Sequence, residues 1–151
     1  MDDLVIRHAR PEDIDTIVDY QLRLAMETEE LALDPETVRR GVLGVFEVPD
    51  RGRYYMAESG GAPVATLLVT NDWSDWRAAR MQWIHSVYVI PRARRCGVYR
   101  RMERIVREEA LANPDVAGIR MLVDKTNGAS QRAHEAMGYT RDHYDTYEWL
   151  K

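Results

Sequence analysis

The sequence predicts one mixed α/β domain, an α+β type with a mixed sheet, in the order β-α-α-β-β-β-α-β-α-β-β. Three observations carry this expectation. With 151 residues and 45% apolar content the chain can bury one proper core and leaves no room for a second domain of ordinary size, so the domain is taken as residues 1–151. Apolar residues recur at helical spacing in some segments and at period two in others. The two kinds of segment do not alternate strictly, which sets this order apart from a plain succession of βαβ units.

Residues 4–8 read as a short first strand. Pro11, Glu12 and Asp13 then open a helix, because proline suits a first helical turn and acids face the positive end of the helix dipole. Ile14, Ile17, Val18, Gln21, Leu22 and Ala25 give that helix one face to bury. A second helix is expected over residues 35–46. Residues 53–58 and 63–70 are β-rich and flank Ser59, Gly60, Gly61 and Ala62, which suit a hairpin turn because glycine reaches positive φ without strain. A loop over residues 71–76 leads to a long strand over residues 81–90. Alternation there places Trp83, His85, Val87 and Val89 on one face and Ile84, Ser86, Tyr88 and Ile90 on the other.

Pro91 ends that strand. From Gly97 to about Leu111, the residues Val98, Met102, Ile105, Val106 and Leu111 recur at helical spacing, with Arg100, Arg104, Arg107 and Glu108 turned outward. Asn113 and Pro114 stop this amphipathic helix. A strand over residues 116–123, a helix over residues 127–137 and a β-rich terminal stretch over residues 139–150 complete the chain. Internal repeats and low-complexity segments are absent from the sequence.

The net charge of −4 is unevenly spread: residues 1–50 hold 13 acids against five arginines, while residues 92–107 hold seven arginines. The basic run points to an anion, phosphate first, against the plain alternative of chance clustering on a 30% charged surface. Cys96 is the only cysteine, which excludes an internal disulfide and a cysteine-rich zinc site. His8, His85, His134 and His143 lie too far apart for a helical HExxH pair, so no metal is expected. The first residues are acidic with only a short apolar run, which fits neither a signal peptide nor a membrane span; a cytoplasmic location is the expectation.

The chemistry is concentrated between Ser86 and Met102, where a strand, a basic turn with one glycine and an amphipathic helix follow one another. A helix start carries unpaired N–H groups and a partial positive charge, and Gly97 lets a pyrophosphate approach the main chain. Arg94, Arg95 and Arg100 add charge-assisted donors. The segment lacks the GK[ST] ending of a Walker loop and has one glycine where a dinucleotide fingerprint needs three.

Arg94-x-x-Gly97-x-Tyr99, with Cys96 and Val98 between and a strand ending in Val89 and Pro91 before it, resembles the cofactor motif Q/R-x-x-G-x-G/A of the GNAT superfamily of acyltransferases. The resemblance implies the GNAT-like acyl-CoA N-acyltransferase fold and acetyl-CoA as acyl donor. It also implies main-chain amides of this turn on the CoA pyrophosphate, and Val87, Tyr88 and Val89 pairing with the pantetheine arm like a neighbouring strand. Tyr99 departs from the pattern at a position usually glycine or alanine, as in members with a GVYR-like helix start, and is read either as an extra hydroxyl donor or as a helix-start tyrosine facing solvent. Downstream, Asn127, Ser130, His134, Gly138 and Tyr139 follow the spacing of the family's N-x-x-A-x-x-x-Y-x-x-x-G-F/Y segment, with two residue types changed. There the asparagine lies near the pantetheine or the amide. The tyrosine protonates the departing thiolate, and His134 takes that tyrosine's place, one turn after Ser130. Two readings stay open for His134: general acid, or a packed histidine.

Acyl transfer to an amine needs a proton acceptor. His85 on the long strand and Glu27, Glu29 and Glu30 at the end of the first helix are the candidates, with a solvated helix end as the plain alternative for the acids, and for Glu29 before the other two. The acidic first third favours a cationic acceptor, a small molecule or a peptide amine. Cys96 at a helix start has the setting of a reactive thiol, but direct transfer needs no covalent intermediate. Trp73, Trp76, Trp83, Tyr54 and Tyr55 fit either an acceptor pocket or ordinary packing. A CoA-binding module without turnover is the competing function. Nucleic-acid binding is set aside because Glu103, Glu108 and Glu109 share the arginine-rich helix and the overall charge is negative. No membrane partner is expected. Pairing of two copies through edge strands or the terminal β segment, common in the family, makes a homodimer one expected assembly.

Overall fold

The computed structural model describes residues 3–141 and 145–151. His143 and the middle of the terminal stretch therefore lie outside the described residues. The chain divides into two compact units, Met1–Met121 and Leu122–Lys151.

The first unit is built on a five-stranded sheet in spatial order β1 (Val5–His8), β2 (Gly52–Ser59), β3 (Ala62–Ser74), β4 (Ala79–Val89) and β5 (Val116–Met121). Neighbours run antiparallel except β4 and β5, which are parallel and joined by a crossover through α3 (Val98–Ala112). On one face Tyr54 and Met56 bury against Ile14, Ile17 and Val18 of α1 (Ile14–Glu29) and Val42 of α2 (Pro35–Glu47). The alternate residues Tyr55 and Ala57 turn to the other face, into the cluster that holds Val98, Met102 and Val106 of α3. Period two in the strand and period 3.6 in the helices thus meet in one core on each side of the sheet.

Local chemistry explains the element ends. A 3-10 turn, Pro11–Asp13, leads into α1, and the Asp13 carboxylate accepts the Arg10 N–H at 2.7 Å. Asp34 caps α2 by accepting the Thr37 N–H at 2.9 Å, with proline in the first helical turn. Gly60 and Gly61, at φ 60 and 74, form the two-residue turn between β2 and β3 that places Ser59 opposite Ala62.

Three expectations are corrected. Residues 71–74 extend β3 rather than form a loop, pairing from Asn71↔Gln82 to Ser74↔Ala79; Asp72 and Trp73 are exposed and Asn71 and Ser74 half-buried while their backbone completes the ladder. The strict alternation expected along β4 fails at Ser86 and Val87, two residues that stand opposite Leu67 alone. Leu68 pairs with His85 but Thr66 with Tyr88, and Ser86 takes φ 49. The bulge turns Tyr88 to the face of His85 and sends Val89, opposite Ala65, to the other face with Ile84. Finally, β5 ends at Met121, and the described part of residues 139–150 contains no strand; Tyr147, Trp149 and Leu150 are exposed there. Aromatic and β-branched residues form a strand only where a partner strand completes the ladder.

The second unit holds α4 (Gly128–Ala136), capped by Asn127, whose side-chain oxygen accepts the Ser130 N–H at 3.0 Å.

Candidate active site

The site in the first unit begins where β4 and β5 part. Their pairing runs from Arg80↔Val116 to Ile84↔Met121, and beyond it His85 to Val89 continue without a β5 partner among the described residues. Ile90 donates its N–H to Val64 of β3 at 3.0 Å. Because the peptide is trans, the Val89 carbonyl points the opposite way, toward the open edge.

That edge runs straight into the basic turn. After the 3-10 turn Pro91–Ala93, Arg95 and Gly97 take φ 61 and 74, and Gly97 precedes α3 with no side-chain cap. Arg101 donates to the Gly97 carbonyl at 3.1 Å, so the amides of Val98, Tyr99 and Arg100 precede the first intrahelical bond and face outward. Val89, Arg94, Arg95, Gly97, Val98, Tyr99 and Arg100 line a depression of about 250 Å³, with Arg94, Arg95, Cys96 and Arg100 exposed. Such a helix start presents N–H groups and positive charge to an anion.

The Tyr99 side chain is not part of that display. Its ring packs against the core and its hydroxyl donates to Met121 Sδ at 3.8 Å, in surroundings whose burial raises its pKa. Only its main-chain N–H serves the turn, because the helix phase next to buried Val98 points residue 99 at the sheet.

Arg94 is tied down. Its Nε donates to the Val89 carbonyl at 2.8 Å, its Nη2 is ion-paired with Glu27, and its guanidinium lies 5.6 Å from the Tyr88 ring centroid. The Tyr88 hydroxyl donates to the other Glu27 oxygen at 2.9 Å. The Arg94 hydrogen bond, and after it that of Tyr88, hold the Glu27 carboxyl below its ordinary pKa, which makes it a poor proton acceptor and a persistent negative charge. Glu30 is exposed, and it ends α1 in the left-handed conformation at φ 54.

His85 is half-buried on the face shared with Tyr88. Its Nε2 lies 2.9 Å from Thr70 Oγ1 and its ring stacks on Trp83 at 6.1 Å, while burial lowers its pKa. It is therefore neutral at pH 7 and able to take a proton. Its bonding to Thr70 across the β3–β4 pair had no separate signal in the sequence, and neither did the bulge that brings Tyr88 round to Glu27. Of the five aromatic residues weighed for an acceptor pocket, Tyr54 and Tyr55 are core, Trp73 and Trp76 are exposed near the β3–β4 hairpin tip, and Trp83 flanks His85.

In the second unit, Ser130 and His134 lie one turn apart on α4. His134 Nδ1 is 2.8 Å from the Ser130 carbonyl and 3.3 Å from its Oγ, and the ring meets Tyr139 edge-on at 5.8 Å. A carbonyl only accepts, so Nδ1 carries the proton; in the neutral ring Nε2 is then an acceptor. The Asn127 side chain serves the helix cap.

The family model described as the acetyltransferase (GNAT) family matches residues 19–139. The chain belongs to the GNAT acetyltransferases. A solved structure from Clostridium difficile 630, described as a "possible acetyltransferase", is 30% identical, with a TM-score of 0.91 over 98% of this chain and 97% of that one. A "predicted acetyltransferase with acetyl-CoA" from Clostridium acetobutylicum is 19% identical, with a TM-score of 0.74 over 98% of this chain and 94% of that one, and shows likeness of fold alone. A search of curated proteins finds no match. In this GNAT acetyltransferase no group of three His, Cys, Asp or Glu residues able to hold a metal occurs among the described residues. No helix of the described residues is long and apolar enough to cross a membrane.

Proposed function

We propose that this chain is an N-acetyltransferase that moves the acetyl group of acetyl-CoA directly to a primary amine, working as one cytoplasmic domain over residues 1–151. The observation that supports it best is the open edge of β4 leading into the uncapped start of α3. A strand edge with an outward carbonyl suits an extended, amide-bearing chain, and the first-turn amides of α3 beside Arg95 and Arg100 suit its phosphates. Val87, Tyr88 and Val89 supply the edge, and the segment from Arg94 to Arg100, Cys96 and Val98 included, supplies the turn. Acetyl-CoA would bring a thioester already activated toward an amine nucleophile.

The chain's own groups supply the rest. Neutral His85 accepts the proton that an ammonium must lose before attack. Glu27, kept ionised, and Glu30 give the end of α1 a negative charge that draws a cationic acceptor, a small molecule or a peptide amine. His134 is the group proposed to give a proton to the departing thiolate, through Nε2, since its Nδ1 is committed to Ser130; Asn127 and Ser130 hold that helix start in shape.

Thiol release from acetyl-CoA against a panel of cationic and neutral primary amines tests this. Release with a cationic member, reduced about tenfold or more by His85→Gln, is the expected result. Binding of CoA with no transfer to any amine would replace the enzyme by an acyl-CoA-binding module.

A further inference from the structure

Arg94 makes two polar bonds at once: to the Val89 carbonyl on the open edge of β4, and to Glu27 at the end of α1. Any extended chain that pairs along His85 to Val89 needs the Val89 carbonyl, and phosphates at the start of α3 compete for the guanidinium. The first removes one of the two anchors that hold Arg94 against Glu27, and the second competes with Glu27 directly.

We propose that Arg94 is a latch that couples occupation of the β4 edge and the α3 start to the release of Glu27 toward a cationic amine. The coupling rests on the acetyl-CoA reading above. With Arg94 bonded, the charge of Glu27 is neutralised and turned to the turn. With Arg94 drawn off, Glu27 keeps the Tyr88 hydroxyl and the neighbouring charge of Arg23, one helical turn earlier, and offers one oxygen to an ammonium. The bulge at Ser86 and Val87 makes this productive, because it sets Tyr88, and hence Glu27, on the face that carries His85. Arg94 is in this sense a positioning residue: it acts on the acceptor through Glu27.

The test uses the full chain and desulfo-CoA and does not depend on knowing the amine. Calorimetry measures desulfo-CoA affinity for wild type, Glu27→Gln and Glu29→Gln; carboxyl NMR follows the titration of Glu27, assigned by its loss in Glu27→Gln. Glu27→Gln frees the latch and is expected to tighten desulfo-CoA binding about two- to fivefold, the range of an exposed ion pair. Glu29→Gln, which removes an equal charge two residues away, leaves affinity unchanged. The Glu27 carboxyl, low in the protein alone, rises on saturation with desulfo-CoA, and stands at the same raised position in Arg94→Ala without ligand, still held down in part by Tyr88 and Arg23. Equal tightening by both substitutions, or a Glu27 titration that desulfo-CoA does not move, overturns the latch while leaving the acetyl-CoA reading intact. Failure of wild type to bind desulfo-CoA overturns both.

Discussion

At the scale of single residues, His85 and Glu27 show how environment assigns roles to groups that look alike as candidate bases. Both are titratable and near the β4 edge, yet an arginine and a tyrosine hold Glu27 in its charged form, whereas burial holds His85 in its neutral form. A histidine whose folded pKa lies below the ordinary 6.5 binds fewer protons folded than unfolded in the interval beneath that value. Its contribution to stability is therefore complete above pH 6.5 and is lost as pH falls below it. Thermal melts from pH 7.5 to pH 5 are expected to show a decline that is shallower in His85→Gln; identical pH dependence in the two proteins would contradict the neutral, half-buried imidazole. The residue types were legible in the sequence, since alternation alone put His85 on the strand. Its Thr70 partner was not, because cross-strand register is fixed only when the hairpin closes.

At the scale of elements, the bulge in β4 decides what the site contains. Ser86 pays for it with a positive φ that an L-residue adopts at a cost of roughly 1–2 kcal/mol. Ser86→Gly relieves that strain against an unfolded-chain penalty of about 0.5–1 kcal/mol, for a net gain of up to about 1.5 kcal/mol. Ser86→Val, β-branched at a left-handed position, destabilises by about 1 kcal/mol or more. Chemical denaturation separates the two, and a stabilising valine would show that the bulge is not held as described. Helix starts were readable because Pro11, Pro35 and Gly97 are local signals, and the β2–β3 turn was readable from Gly60 and Gly61. The bulge escaped because serine carries no preference for it, and the expected terminal strands failed because strand formation depends on a partner that composition cannot supply.

At the scale of the whole molecule, charge and topology agree. The acids concentrated in residues 1–50 and the arginines in residues 92–107 meet where Glu27 at the end of α1 reaches Arg94 before α3, so the boundary between the two signs falls at the open edge of β4. The fold itself was legible from element order and from the turn that resembles the GNAT motif. The acceptor was not, because it is chosen by surfaces without a sequence code. The central claim is that the Gly97 turn holds the phosphates of CoA. Calorimetric titration of wild type, Gly97→Glu and Tyr99→Phe with acetyl-CoA and desulfo-CoA tests it most directly. Micromolar binding by wild type is expected, kept in Tyr99→Phe because that hydroxyl faces Met121, and weakened by roughly tenfold or more in Gly97→Glu, where a carboxylate meets the phosphates at a backbone that favours glycine. Undiminished binding by Gly97→Glu would contradict the phosphate turn, and absence of binding by wild type would contradict the enzyme.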